Sequence, residues 1–375
     1  MLNVEEGTVE RVIWTEGRVQ CLEVQLGDNK EKAINYLELS GAAAPGNRVF
    51  LNTTAVRLNL GSGGYHFVML NTAASPYSPH TGHIIKMRYT PLQHKVLTWE
   101  ENCGPDADNC QTKYTGLHIP VVIGELHSML APFVRTLKLI NSKCRIVYIM
   151  SDSASLPLSF SRTVYSLKDD GVLSGTITAG QAFGGDLECV NIYTALIAAR
   201  EELKADVIII APGPGVVGTG TRYGYGGVEQ GEHVERVHKL GGIPLVIPRI
   251  SFADSRSRHQ GISHHTLTTL GELTTKSCIL PLPACSRDKM RLFYQQLTAA
   301  SLLKKHRVVI ISSKCFKHYM KECCGDSSTM GRGLQADPIF FATACACAYH
   351  TDKMLKKKVT TRQQETARNR RATVT

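Results

Sequence analysis

The residues able to do chemistry stand just beyond short apolar runs. Glu125 and His127 follow HIPVVIG, Ser151 and Asp152 follow CRIVYIM, and VLSGTITAG ends in Gly180 and is followed by Gln181, Gly184, Gly185, Asp186 and Glu188. The run DVIIIA empties into the glycine-rich stretch Gly213 to Gly227, and IPLVIP delivers Arg249, Asp254, Arg256 and Arg258 ahead of the pair His264-His265. An imidazole titrates near neutral pH, and a carboxylate can share such work when its surroundings tune it, so His264, His127 and Asp186 are the acid/base candidates. Arginine presents a rigid fork of donors to oxyanions, which makes Arg222 and Arg249 the residues to neutralise an anionic ligand.

Gly213, Gly215 and Gly218 satisfy G-x-G-x-x-G after an apolar run. Glycine permits positive φ and lets backbone amides approach an anion with no Cβ between them. A dinucleotide fingerprint fails on context. Pro214 interrupts the motif, Gly220, Gly224, Gly226 and Gly227 prevent an immediate helix, and no acidic residue stands at the usual distance on a second strand. No Lys-Ser or Lys-Thr step makes a P-loop. An anion cradle of another kind is the expectation, lined by Gly213, Gly215, Gly218 and Gly220, with Thr219, Thr221 and Arg222 as donors and Asp152 on the same rim. The competing reading is a structural loop held tightly against a neighbouring strand.

Two further features carry competing readings. Asp186 stands where a helix is expected to begin near Leu187, so it serves either as an N-cap or in catalysis. His264 and His265 are adjacent at the start of a probable helix, where neighbouring side chains diverge by about 100° and do not easily share one ion. The spacings His-Glu-x-x-His and paired Cys-x-x-Cys are absent, so no metal ligand is assigned and the cofactor stays open. The absence of G-x-S-x-G disfavours a serine hydrolase of that type.

These residues need a scaffold that brings them to one edge. From Leu117 the chain alternates β-rich runs with segments of helical apolar spacing, at 128–141, 187–204, 230–240 and 266–273. Strands apolar on both faces that alternate with helices predict a mainly parallel, doubly wound α/β sheet covered on both sides. Right-handed crossovers then place every strand's carboxyl end on the same rim, where ligands of open parallel sheets bind. Ahead of it, TVERVIW, VQCLEVQL, KAINYLEL, RVFLNTTAV and GYHFVML read as five short strands separated by turn signals, a small all-β barrel or sandwich. The expected organisation is a β domain over 1–75, an α/β domain over 83–350 and a basic, disordered tail over 351–375. Cys103 and Cys110 fall in a polar loop at a spacing that matches no common zinc knuckle, and Cys345 and Cys347 read as small core residues.

Composition bounds the partners. With 43% hydrophobic and 20% charged residues in 375, the chain is of the soluble globular class. The formal charge is +11, but residues 351–375 hold eight Lys and Arg against two acids, a net +6. The other 350 residues carry +5, which demands no polyanionic partner. The amino terminus does not read as a secretory signal and no apolar run reaches the roughly 18–20 residues of a membrane helix. The expectation is a cytoplasmic protein, without a membrane, whose twelve cysteines are thiols.

The stretches LNTTAVRLNLGSGGYHFV, HIIKMRYTPLQ, GELHSMLAP, GQAFGGDLECVN, GPGVVGTGTRYGYGG and SHHTLTTL together resemble a bacterial family known only as domain of unknown function 3866. The resemblance implies a shared fold and rim over residues 1 to about 312 and brings no activity with it. The expected function is binding of an anionic, phosphorylated or nucleotide-like small molecule at the rim, with catalysis open. The alternative is a non-catalytic nucleic-acid-associated protein that makes contact through the β domain and basic tail.

Overall fold

The computed structural model describes residues 2–74, 82–102, 115–152, 155–313, 320, 322–323 and 327–372, with side chains to 357. Cys103, Cys110, Cys315 and Cys324 lie outside the described residues. The chain divides into two compact units, Met1–Asn102 with Pro157–Tyr165, and Cys103–Leu156 with Ser166–Thr375.

In the first unit the strands β1 (Val4–Glu16), β2 (Val19–Leu26), β3 (Asn29–Tyr36), β4 (Arg48–Asn52) and β5 (His66–Asn71) close into a barrel in the order β1-β2-β3-β5-β4. Alternation explains the closure. Val9, Leu22, Val24, Ala33, Val49, Leu51 and Val68 form one buried cluster, and single strands of this length bury such a face only by wrapping it inward. A second cluster of Val19, Cys21, Ile34 and Tyr36 packs with Trp14, Phe67 and Phe160. Phe160 comes from the 157–165 segment, and the Arg162 guanidinium lies 5.4 Å from the Trp14 ring centre. Downstream, β6 (Ile84–Lys86) and β7 (His94–Val96) form a separate antiparallel pair.

The second unit carries a sheet of β8 (Pro120–Gly124), β9 (Ile146–Ser151), β10 (Gly175–Ala179), β11 (Leu187–Cys189), β12 (Val207–Pro212) and β13 (Ile243–Ile247). A short antiparallel pair follows, β14 (Ile250–Ser251) with β15 (Gly261–Ile262), before the last two sheet strands, β16 (Ile279–Pro283) and β17 (Arg307–Ile311). The eight-stranded sheet has the order β11-β10-β9-β12-β8-β13-β16-β17, and every pairing in it is parallel. Its central strands β8, β9 and β12 are buried along their whole length, as their unbroken apolar runs predict. The expected architecture, a parallel doubly wound sheet after a small barrel, is therefore observed.

Helices join these strands, beginning with α1 (Leu130–Ile140) and α2 (Ile192–Glu201) and continuing with α3 (Glu229–Lys239) and α4 (His264–Glu272). The last described helix, α5, runs Pro338–Ala372, through the stretch expected as a basic tail. Near its start Cys345 and Cys347 are fully buried, as small core residues should be, and Thr136 lies 3.1 Å from the Cys345 sulfur. One local expectation fails: no helix starts near Leu187. Residues Leu187–Cys189 instead pair with β10 as an edge strand, and α2 begins at Ile192 behind its N-cap Asn191, which accepts from the amides of Tyr193 and Thr194.

Strand order locates the rim's crevice. From β8 the chain leaves through α1 to β9 on one side of it, whereas from β12, which is paired to β8, it leaves through α3 to β13 on the other. Adjacent strands whose connections depart in opposite directions define the switch point, and a crevice opens beyond their carboxyl ends. Glu125 follows β8 there, and the glycine-rich loop follows β12.

A candidate metal centre at the strand-end rim

Glu125 leaves β8 fully buried and gathers the site around its carboxylate. It takes a hydrogen bond from Nδ1 of His265 at 2.9 Å and further contacts from the Arg249 guanidinium and the Thr266 hydroxyl, each at 3.3 Å. Burial pushes the carboxyl up, but the His265 bond and the Arg249 charge outweigh it and hold Glu125 below the usual range. An ionised carboxylate only accepts, so the His265 Nδ1 donates to it and Nε2 is the ring nitrogen left to face the other two histidines.

From Glu125 a chain of charges runs across the rim. Arg249 reaches Asp254 at 3.5 Å, and Asp254 holds Arg256 through two bonds of 2.9 Å and lies 3.6 Å from Arg332, which meets Asp337 at 3.3 Å. The Arg256 fork keeps the Asp254 carboxyl well below its ordinary value. Three arginines face three carboxylates, so the chain is neutral overall.

The histidines stand at the start of α4. Ser263 is its N-cap: the hydroxyl accepts from the His265 amide at 3.2 Å and lies 2.8 Å from Nδ1 of His259. In the tautomer whose Nδ1 donates to that oxygen, the His259 Nε2 carries a lone pair. One ligand nitrogen from each of His259, His264 and His265 lies within 4.8 Å of the others, and the ring centres are 4.3–5.0 Å apart. Nε2 of His259 and Nε2 of His264 are buried without a hydrogen-bond partner. Burial first, then the arginine and histidine charges nearby, hold His259 at about 3, while burial, His265 and Arg258 hold His264 at about 4. Both are therefore neutral near pH 7, the form in which imidazole binds a metal.

The donor set fits a divalent transition metal. Three imidazole donors suit zinc and its neighbours, so His259, His264 and His265 are the residues that would hold such an ion. The supporting partners also match, since a ligating histidine is held at its other nitrogen by a carboxylate or other acceptor, here Glu125 and Ser263.

The glycine loop walls the centre through Tyr225, whose ring stacks on His265 at 3.7 Å with the planes 2° apart. Its hydroxyl lies 3.0 Å from the His265 carbonyl and 2.6 Å from the Thr269 hydroxyl. Where the loop returns, Gly227 lies so close to Glu125 that a Cβ there would stand 2.5 Å from Cγ. Glycine at this position is a packing requirement.

The structure distributes the expected site residues unevenly. Arg249, His264 and the loop meet at the centre, Arg249 through Glu125. His127 is buried with Nδ1 3.0 Å from the Pro212 carbonyl and 3.4 Å from the Tyr148 hydroxyl. Asp152 accepts from the amides of Gln181 and Ala182, closing the turn after β10 at Gly180, where φ is +67°. Asp186 pairs with Lys168 and accepts from the Thr176 amide and hydroxyl, each at 2.9 Å, so it fastens the β10 edge and caps no helix. In the loop, Thr219 and Thr221 bond to each other, Thr219 bonds to Gly224, and Gly218 bridges Tyr225. Arg222 pairs with Glu272 at 2.6 Å and Tyr223 joins the same carboxylate, anchoring the loop to the far end of α4. Gly213 packs toward Leu156 and Met150, Gly215 takes φ +94°, and Gly220 lies beside Arg258.

His259 escaped the sequence reading, although H-x4-H-H was present as a signal. The 100° divergence of His264 and His265 does not keep them apart, because His264 opens the helix at its first position and both rings turn toward His259. No helix among the described residues is long and apolar enough to cross a membrane.

No curated protein matches the chain. The model of the family described as "Protein of unknown function (DUF3866)" matches residues 32–348, and the chain belongs to that family.

Proposed function

We propose that the protein holds a divalent transition-metal ion on His259, His264 and His265 at the strand-end rim and uses it in chemistry on a small molecule. The observation that carries this reading is the convergence of three imidazoles with two orphaned, buried Nε2 atoms, backed at Nδ1 by Glu125 and Ser263. A buried nitrogen without a partner costs about 1–3 kcal/mol, so two of them within one histidine cluster are a strain that a bound ion would relieve. An ion with three protein ligands keeps a position open for water or a substrate oxygen and supplies Lewis-acid activation there. The chain's own residues fix the tautomers, exclude bulk water through Tyr225, and keep the surrounding charge balanced through Arg249 and Asp254.

Elemental analysis of tag-free protein tests the reading, together with His259→Ala and His265→Ala. The expected result is near one equivalent of metal in the wild type, restored after chelation by zinc or cobalt, and loss of it in both variants. Wild-type protein that takes up no transition metal and gains no thermal stability from any would overturn it.

A further inference from the structure

We propose that the open face of this centre takes an oxyanion group of a small molecule, held between the ion and the guanidinium of Arg258, an inference that rests on the metal reading above. Charge balance carries it. The chain of Glu125, Arg249, Asp254, Arg256, Arg332 and Asp337 is neutral within itself. Arg258 stands outside it: exposed, one residue before His259, and with no acid paired to it among the described residues. A divalent ion adds two positive charges to that of Arg258, so the loaded centre has a surplus of about three that an anion would offset.

Geometry puts Arg258 where such an anion would lie. Its Nη1 would be 3.8 Å from a Cβ on Gly220, so the guanidinium lies beside the glycine loop. Arg258 therefore lies against the loop at Gly220 while its backbone immediately precedes His259. The donors expected to cradle an anion are spent elsewhere, Thr219 and Thr221 on each other and Arg222 on Glu272. A guanidinium binds phosphate and carboxylate alike through paired N–H bonds, so the shared chemistry is the oxyanion.

The experiment uses full-length, tag-free, cobalt-loaded protein, with metal content measured on each sample. Inorganic phosphate and acetate are titrated separately while the cobalt visible bands are followed, in wild type, Arg258→Gln and Arg258→Lys. Saturable spectral change is expected with one or both anions. Arg258→Gln should weaken it at least about tenfold with full metal content, and Arg258→Lys should weaken it less. Response to phosphate alone assigns phosphorylated ligands, and response to acetate alone assigns carboxylates. Metal-loaded protein that answers neither anion, or binds as tightly with Gln at 258, overturns the inference and leaves the metal reading standing. A chain that takes up no metal overturns both.

Discussion

Oε1 of Glu125 lies 2.9 Å from Nδ1 of His265, and both side chains are buried. This bond ties the end of the central strand to the helix that carries two of the three imidazoles. Glu125→Gln keeps the shape and removes the charge that fixes the His265 tautomer. Metal affinity should fall about 10–100-fold, measured by competition with a chelator, while Arg249 retains Asp254 and the fold persists. Unchanged affinity would mean that Glu125 does not orient the ligand.

Gly227 and Gly215 separate packing from backbone conformation. Gly227→Ala drives a methyl into Glu125 and should cost about 1–3 kcal/mol while also weakening metal binding. At Gly215 a Cβ would meet nothing within 4 Å, but φ is +94°. Gly215→Ala should cost about 1–2 kcal/mol through the backbone alone. Urea midpoints and metal titration on both variants check the contrast, and equal effects on metal binding would contradict it.

Apo-protein stability should fall as pH drops below about 6.5, where unfolded histidines begin to take up protons. Burial holds His127 at about 4 and His233 at about 3. Between these values and about 6.5 the unfolded chain binds more protons than the native one. Each group's contribution is thus complete above the unfolded value and lost toward the folded one, at about 1.4 kcal/mol per pH unit. His127→Gln should flatten the slope between pH 6 and 5 by about that amount in urea unfolding. A slope identical to wild type would show that His127 already titrates normally.

Asp186→Asn tests a structural role against a catalytic one. Loss of the Lys168 pair and weakening of the Thr176 bonds should cost about 1 kcal/mol and leave metal affinity and anion response intact. A selective loss of either response at unchanged stability would return Asp186 to the site.

The parallel sheet was legible because unbroken apolar runs such as DVIIIA admit only a strand buried on both faces. The barrel was legible in the turn signals between its five runs. Leu187–Cys189 was hidden, since a three-residue edge strand has no period to detect and a following amphipathic helix absorbs it. The parallel topology that defines the strand-end rim was legible, and Arg249 and His264 both stand beyond β13 on that side. His259 was missed because spacing rules for metal ligands assume regular helix geometry, whereas these three histidines straddle a helix start. The roles imagined for Thr219, Thr221 and Arg222 depended on free donors. Their partners, Gly224 and Glu272, are separated from them by folds of the chain that composition does not reveal.

The Ser263 hydroxyl at the head of α4 engages the His265 amide and lies against the His259 ring. A helix cap thereby doubles as a registration pin. The chain cannot nucleate this helix in its capped form without also aligning imidazoles from either side of the cap. The entropy of aligning these rings is then settled during folding, so an ion binding there would meet side chains already ordered.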